Sequence, residues 1–215
     1  MIEPGKYIVI EGSDGTGKST QVELLADWLA EEKGIDSFIA HEPAGTPMAD
    51  AIRDIIKNGN LERDPVSDLL LFTAARREIW REARQTLKLG NWVLSARNYL
   101  STEAYQGYGD GVDLGLIRNT TREFVGQDYL TPDHTFILSI NSEEERAARI
   151  DSRGELDNPD TFEMRDASFQ SRVNQAYIKI ARSYGISPID AARSVDEIHE
   201  IIKRRLDSSH SDTLF

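Results

Sequence analysis

Cysteine is absent from this 215-residue chain, which excludes disulfides and thiolate metal sites. Positive charge is scarce: 25 Lys and Arg stand against 37 Asp and Glu, for a formal net charge of −12. A DNA-binding surface needs a basic footprint, and none shows in that balance, so nucleic acid is not an expected partner. No run approaches the ~20 apolar residues of a membrane span, so no membrane association is expected either. The opening stretch, MIEPGKYIVIEG, lacks the basic start and long apolar core of a signal peptide, and a cytoplasmic location is the expectation. There is no Pro/Gly/Ser-rich linker, composition break or internal repeat. Residues 1–207 therefore read as one domain, with 208–215, SSHSDTLF, as a flexible tail. What is present is ordinary for a globular protein, 39% hydrophobic and 29% charged residues, in a chain long enough to bury a core.

Short apolar runs alternate with longer helical patterns. Tyr7-Ile8-Val9-Ile10 reads as a buried parallel strand. Val22, Leu25, Trp28 and Leu29 recur at helical spacing, and Gly34 ends that helix. Further strands are expected at Ser37 to Ala40, Trp92 to Ser95, Thr135 to Ile140 and Ile186 to Ile189. Helices are expected after Ala51, from Val66 to Leu89, and over roughly 143–152, 163–184 and 194–206. Such alternation predicts an α/β fold with a parallel sheet covered by helices. The polar stretch GELDNPDT, residues 154–161, is either a surface loop or a lid.

The residues Gly12-Ser13-Asp14-Gly15-Thr16-Gly17-Lys18-Ser19 match G-x-x-x-x-G-K-[ST] at every position, between a β-run and a helical pattern. Glycines let the backbone curl so that consecutive N–H groups point inward, and the following helix adds the positive end of its dipole. Lys18 is expected to reach the outer phosphates of a nucleoside triphosphate, and the Ser19 hydroxyl to ligate Mg²⁺. The N-K-x-D sequence with which a GTPase reads its base is missing, and no long second domain is available for a motor. A small-molecule kinase is the favoured class.

Other chemistry-bearing segments accompany the loop. Glu42-Pro43-Ala44-Gly45-Thr46 follows the second strand, at the edge where a parallel sheet opens its ligand crevice. Arg53 lies on the helix beyond. Phe72 and Arg76 are four apart and share a helix face, suited to stacking on a base and bonding its edge. The structural alternative makes Phe72 core and Arg76 solvated. Arg97 closes the third strand where an anion can be clamped, ahead of Ser101-Thr102-Glu103-Ala104-Tyr105-Gln106-Gly107. Arg149, Arg153, Glu155, Asp157 and Glu163 surround the polar stretch, where arginines suit a lid over a transferred phosphoryl group.

In order and spacing, EGSDGTGKST, HEPAGT, LLLFTAAR, STEAYQG and RGELD resemble the thymidylate kinases, which phosphorylate dTMP with ATP. Thr16 inside the loop and Arg153 in RGELD are similar to the bacterial type, whose catalytic arginine comes from the lid. The resemblance implies a three-layer fold of the P-loop NTPase type, with a five-stranded parallel sheet, helices on both faces and a short lid at about 153–163. It implies ATP and dTMP as substrates, Mg²⁺ as cofactor and a homodimer, for which the helix from Val66 to Leu89 has surplus apolar residues. Gly12, Ser13, Asp14, Gly15, Thr16, Gly17, Lys18, Ser19 and Thr20 would hold ATP. Arg53 and Arg97 would hold the dTMP phosphate, Phe72 would stack on thymine, and Arg76 would bond its carbonyl edge. Glu42 and Pro43 would line the acceptor site. Asp14 would face the sugar near its 3′-hydroxyl. Thr102, Tyr105 and Gln106 would complete the base and sugar pocket, Tyr105 excluding a ribose 2′-hydroxyl. Lys18, Arg97 and Arg153 would be the catalytic residues.

The chain departs from the family pattern in several places. Ala96-Arg97-Asn98 stands where Asp-Arg-aromatic is usual, removing a carboxylate that helps hold Mg²⁺ or its waters; Glu11 and Asp14 are the nearby candidates to compensate. Asp110 stands where an arginine is common. The lid stretch is longer than usual, without the usual arginine soon after Asp157, a place Arg165 is a candidate to take. Ala44 replaces a common glycine. An active dTMP kinase is the first reading, and these changes add the expectation that it is slow or altered. A kinase for another deoxynucleoside monophosphate and a weakly catalytic nucleotide-binding protein are the alternatives.

Overall fold

The structure is a computed structural model that describes residues 4–140, 162 and 165–207. Five strands form one sheet: β1 (Tyr7–Gly12), β2 (Ser37–Ala40), β3 (Trp92–Ala96), β4 (His134–Ser139) and β5 (Ile189–Asp190). Their order is β2-β3-β1-β4-β5 and every pairing is parallel. All residues of β1 and β4 are buried, as central parallel strands covered on both faces must be.

The two-residue period of the strands divides the core. Tyr7, Val9, Val93 and Ile137 belong to one apolar cluster, while Ile8, Ile10, Leu94, Phe136 and Leu138 belong to another. The second cluster is covered by α1 (Lys18–Trp28), through Val22 and Leu25, and by the C-terminal helix (Val195–Asp207), through Ile198 and Ile202. On the first face lie α2 (Pro47–Lys57), α3 (Pro65–Lys88) and α4 (Tyr99–Thr102), the last continuing through a π-helical stretch, Glu103–Gly109. The same face holds α5 (Leu114–Phe124), α6 (Gln127–Leu130) and α7 (Ala167–Ser183); the C-terminal helix is α8. The chain thus leaves β1 toward one face and β3 toward the other. Neighbouring parallel strands whose exits diverge leave a crevice at their carboxyl ends, where open α/β sheets bind ligands.

Local signals account for the helix starts. Thr46 and Asp64 are N-caps, accepting from Ala49 N–H and from Val66 and Ser67 N–H, and Pro47 and Pro65 follow at the first helical positions. α1 runs on through a π-helical turn, Leu29–Lys33, and ends at Gly34, whose φ of 65° is the left-handed value expected of a closing glycine. The expected strand at Ile186 to Ile189 is displaced. Ile186 N–H bonds back to Ala181 at the exit of α7, Pro188 has no N–H to give a ladder, and β5 begins only at Ile189. The helix expected over roughly 143–152, the lid and the tail at 208–215 lie outside the described residues.

Candidate active site

The phosphate loop joins β1 to α1 across the crevice. Gly12, Gly15 and Gly17 take φ of 147°, 85° and 88°, which side chains resist. At Gly12 a Cβ would also lie 2.3 Å from the Leu138 carbonyl oxygen. The Thr16 hydroxyl and Lys18 Nζ both donate to the Ser13 carbonyl, at 2.9 and 2.7 Å. Ser13 turns its own hydroxyl inward to Asn174 Oδ1, at 3.3 Å, and Asn174 Nδ2 donates to the Ile140 carbonyl. Ser13 therefore contributes to the loop by backbone, and Asn174 on α7 is an anchor that no sequence motif signalled. Ser19 is exposed.

A cavity of about 420 Å³ opens beside the loop, bordered by Asp14, Lys18 and Ser19 on one side. The other sides bring together Glu42, Pro43, Arg53, Phe72, Arg76, Arg97, Thr102, Tyr105 and Gln106, all of them expected from the sequence. That volume lies within the range of small-ligand pockets, roughly 300–1,000 Å³. His41, Lys57, Ala96 and Ser101 also line it, as does Phe162, whose ring lies 5.9 Å from those of both Phe72 and Tyr105. Phe162 was not among the site residues expected from the sequence. Thr20 faces away, into a second hollow with Thr16, Gly17, Gln21 and the residues Ala192, Arg193, Ser194 and Val195.

Arg76 is 2% exposed, which overturns the solvated alternative. Its guanidinium donates to Glu42 Oε2 at 2.8 Å, Thr102 Oγ1 at 2.6 Å and the Asn98 carbonyl at 2.8 Å, and it lies 5.2 Å from the Phe72 ring centroid. Glu42 also accepts from the Tyr129 hydroxyl, at 2.7 and 2.8 Å. Burial raises the Glu42 carboxyl above its ordinary value, outweighing the opposing charge and hydrogen bond of Arg76. Burial works to lower Arg76, but the electrostatic influence of Tyr129 and Glu42 prevails, raising it and keeping the guanidinium charged.

Arg97 has a φ of 91°, the one positive φ outside glycine among the described residues. Such a backbone is strained and clusters at functional sites. The Ser95 hydroxyl, pointing away from the cavity, braces it by donating to the Arg97 carbonyl at 2.6 Å. The Arg97 guanidinium pairs with Asp14 and donates to Ser101 Oγ at 3.0 Å. Asp14 also accepts from the Tyr105 hydroxyl at 2.6 Å. Burial lifts the Tyr105 phenol well above its usual range, and the neighbouring Asp14 charge adds to that.

Two of the candidate compensations are engaged elsewhere. Glu11 is 0% exposed, and its carboxylate accepts from Asn98 N–H at 2.7 Å, Ser101 N–H at 3.1 Å, Ser101 Oγ at 2.8 Å and the Tyr177 hydroxyl at 3.0 Å. Fully engaged and outside the cavity, it is not a substitute for the carboxylate missing at Ala96. Arg165 does not border the cavity but pairs with Asp110 at 2.7 Å. Among the described residues no cluster of three acidic, His or Cys side chains is poised to hold a metal. Arg149, Arg153, Glu155, Asp157 and Glu163 lie outside the described residues.

A phosphate loop that opens onto an arginine- and aromatic-lined acceptor cavity, at the switch point of a parallel sheet, defines the class of P-loop nucleoside monophosphate kinases. The sequence profile of the thymidylate kinases matches residues 10–202. The chain is 38% identical over 207 residues to the thymidylate kinase of Chlorobium luteolum, covering 93% of this chain and 95% of that protein. It is 37% identical over 207 residues to that of Blochmanniella pennsylvanica, covering 94% and 95%. The crystal structure of thymidylate kinase from Ehrlichia chaffeensis superposes with a TM-score of 0.74 at 28% identity, over 95% of this chain and 99% of that one. This chain belongs to the thymidylate kinase family.

Proposed function

We propose that this protein transfers the γ-phosphate of ATP to dTMP, giving dTDP and ADP, in the supply of dTTP. The observation that carries the reading is the shared cavity: Lys18 and Ser19 of the phosphate loop border the same space as Arg53, Phe72, Arg97 and Tyr105. In this reading Arg53 and Arg97 hold the dTMP phosphate, Arg97 exchanging part of its contact with Asp14 for it. Phe72 stacks on thymine. A guanidinium has five N–H donors, and Arg76 gives three to Glu42, Thr102 and Asn98. The remainder serve the carbonyl edge of the base. Asp14 and Tyr105 face the sugar, Tyr105 against a 2′-hydroxyl.

A phosphate oxygen of dTMP attacks the γ-phosphorus as the bond to the β-γ bridging oxygen breaks, with no covalent enzyme intermediate. Lys18, the loop N–H groups and Arg153 neutralise charge on the transferred group, so positioning and electrostatics carry the rate. Mg²⁺ suits the exposed Ser19 hydroxyl on the cavity wall, since it is commonly held by one or two protein ligands together with phosphates and waters. When bound, it would neutralise the outer phosphates. The hollow beyond Gly17, bordered by Arg193 and Ser194, receives the nucleoside end of ATP, because the loop separates it from the acceptor cavity.

Further parts of the reading are one kinase domain over 1–207, a cytoplasmic location and a homodimer formed through the outer face of α3, where Val66 and Leu70 are exposed. No described helix is long and apolar enough to cross a membrane. With Ala96 on the cavity wall and Glu11 fully engaged, turnover is attenuated, and the same observation supports the second reading of a weakly catalytic binding protein. A thermal-shift panel of monophosphates with and without ATP, followed by ADP detection, tests both. Stabilisation by dTMP with ADP release supports the kinase; stabilisation without product supports the second reading. Selective stabilisation by a different monophosphate contradicts dTMP as acceptor.

A further inference from the structure

Asp110 and Arg165 sit at two of the departures from the family pattern, an acid where arginine is common and an arginine displaced along the chain. The fold brings them together. An Arg165 N–H donates to Asp110 Oδ1 at 2.7 Å, with side-chain exposures of 40% and 8%. The guanidinium lies 4.0 Å from the centroid of Phe169. Phe169 in turn packs on Gly109, where a Cβ would come within 2.6 Å of the ring, and stands 6.2 Å from the Tyr105 ring. Arg172 adds a bond to the Gly109 carbonyl, at 3.3 Å. The ion pair therefore joins the start of α7 to the end of the π-helical stretch that carries Tyr105 and Gln106.

Phe162 is fastened to the same junction. Its carbonyl accepts from Arg165 N–H at 3.3 Å and from Gln170 Nε2 at 2.7 Å. Its ring meets Phe72 and Tyr105 at the wall where a base would stack.

We propose that Asp110 and Arg165 are positioning residues for the acceptor. Their ion pair holds Phe162 against Phe72 and Tyr105 and so sets the affinity for the monophosphate without touching it. The inference rests on the dTMP reading above. The Arg165 end of the pair is open to water and contributes little to global stability, whereas a displaced aromatic wall weakens binding directly.

Steady-state kinetics on the full chain test this, comparing the wild type with Asp110→Ala, Arg165→Ala, the double variant and Arg165→Lys. Each alanine variant is expected to raise KM for dTMP roughly fivefold or more, the scale of coupling between contacting groups. The expected kcat, KM for ATP and Tm stay near wild type. The double variant is no worse than either single one, and Arg165→Lys, which keeps the charge, loses less than Arg165→Ala. Unchanged KM for dTMP in both alanine variants, or additive losses, overturns the inference. So does a joint fall of kcat, ATP affinity and Tm. A wild type that neither turns over nor is stabilised by dTMP contradicts the acceptor reading itself and with it this inference; wild-type turnover with unaffected variants contradicts only the inference.

Discussion

The phosphate loop is eight consecutive residues, Gly12 to Ser19, shaped by three glycines with positive φ, whereas the acceptor wall draws side chains from the exits of β2 and β3, from α2 and α3, and from the stretch after α4. The loop is shaped by its own backbone, anchored at Asn174 and tied to the wall through Asp14. The wall depends on polar links between distant elements: buried Glu42 with Arg76 and Tyr129, and partly buried Arg97, with Tyr105, on the loop's Asp14. A contiguous site tolerates change in its surroundings; a dispersed site shares its stability with the fold. Variants on the two sides should therefore fail differently.

The sharpest contrast comes from Lys18→Ala. It should lower kcat about 10²–10³-fold, as loss of one preorganised electrostatic group does, while the dTMP-induced thermal shift persists. Loss of both would show that the two sides are one unit. Next comes Arg76→Met, which leaves Glu42 buried and uncompensated. Breaking a buried pair this way costs about 3–5 kcal/mol, so Tm and dTMP binding should fall together, and a variant with wild-type Tm would break the comparison. Ala96→Asp sharpens it from the catalytic side. Restoring the carboxylate should lower the Mg²⁺ concentration for half-maximal rate about tenfold, the scale of changes around a metal. No change in rate or Mg²⁺ dependence would remove Ala96 from the account.

The smallest effect lies at the start of α7. Asp166 caps that helix by accepting from Phe169 N–H at 2.7 Å, and this bond holds its carboxyl below the ordinary value, assisted by Ser168. The stabilisation is present above the unfolded value, 3.8, and is lost as pH falls through the lower folded one. Asp166→Ala should lower Tm at pH 7 by roughly 2–4 °C, and the gap should close on acidification. A gap independent of pH would contradict the cap.

The same contrast explains what was legible in the sequence. The loop could be read outright, because backbone geometry is written in consecutive residues. The strands and both helix faces followed from periodicity, and only β5 was displaced, by Pro188. The acceptor wall was reached through resemblance, since no spacing rule brings Arg53, Phe72 and Arg97 to one cavity. The partners that fix it were illegible: nothing in the sequence singled out Tyr129 or Tyr177, and Glu11 read as a carboxylate available to compensate for Ala96. Only the packed fold reveals that Glu11 is saturated by Asn98, Ser101 and Tyr177. Likewise Asp110 read as a loss from the site and Arg165 as a candidate replacement for a lid arginine, whereas the fold joins them as a pair.

The central claim is that the loop and the wall serve one transfer. Incubation with [γ-³²P]ATP, Mg²⁺ and an equimolar mixture of dTMP, dUMP, dCMP and TMP ribonucleotide, with separation of the products, tests it most directly. The account predicts label chiefly in dTDP, at a rate that Ala96→Asp raises. Label confined to inorganic phosphate, or appearing chiefly in another diphosphate, would contradict it.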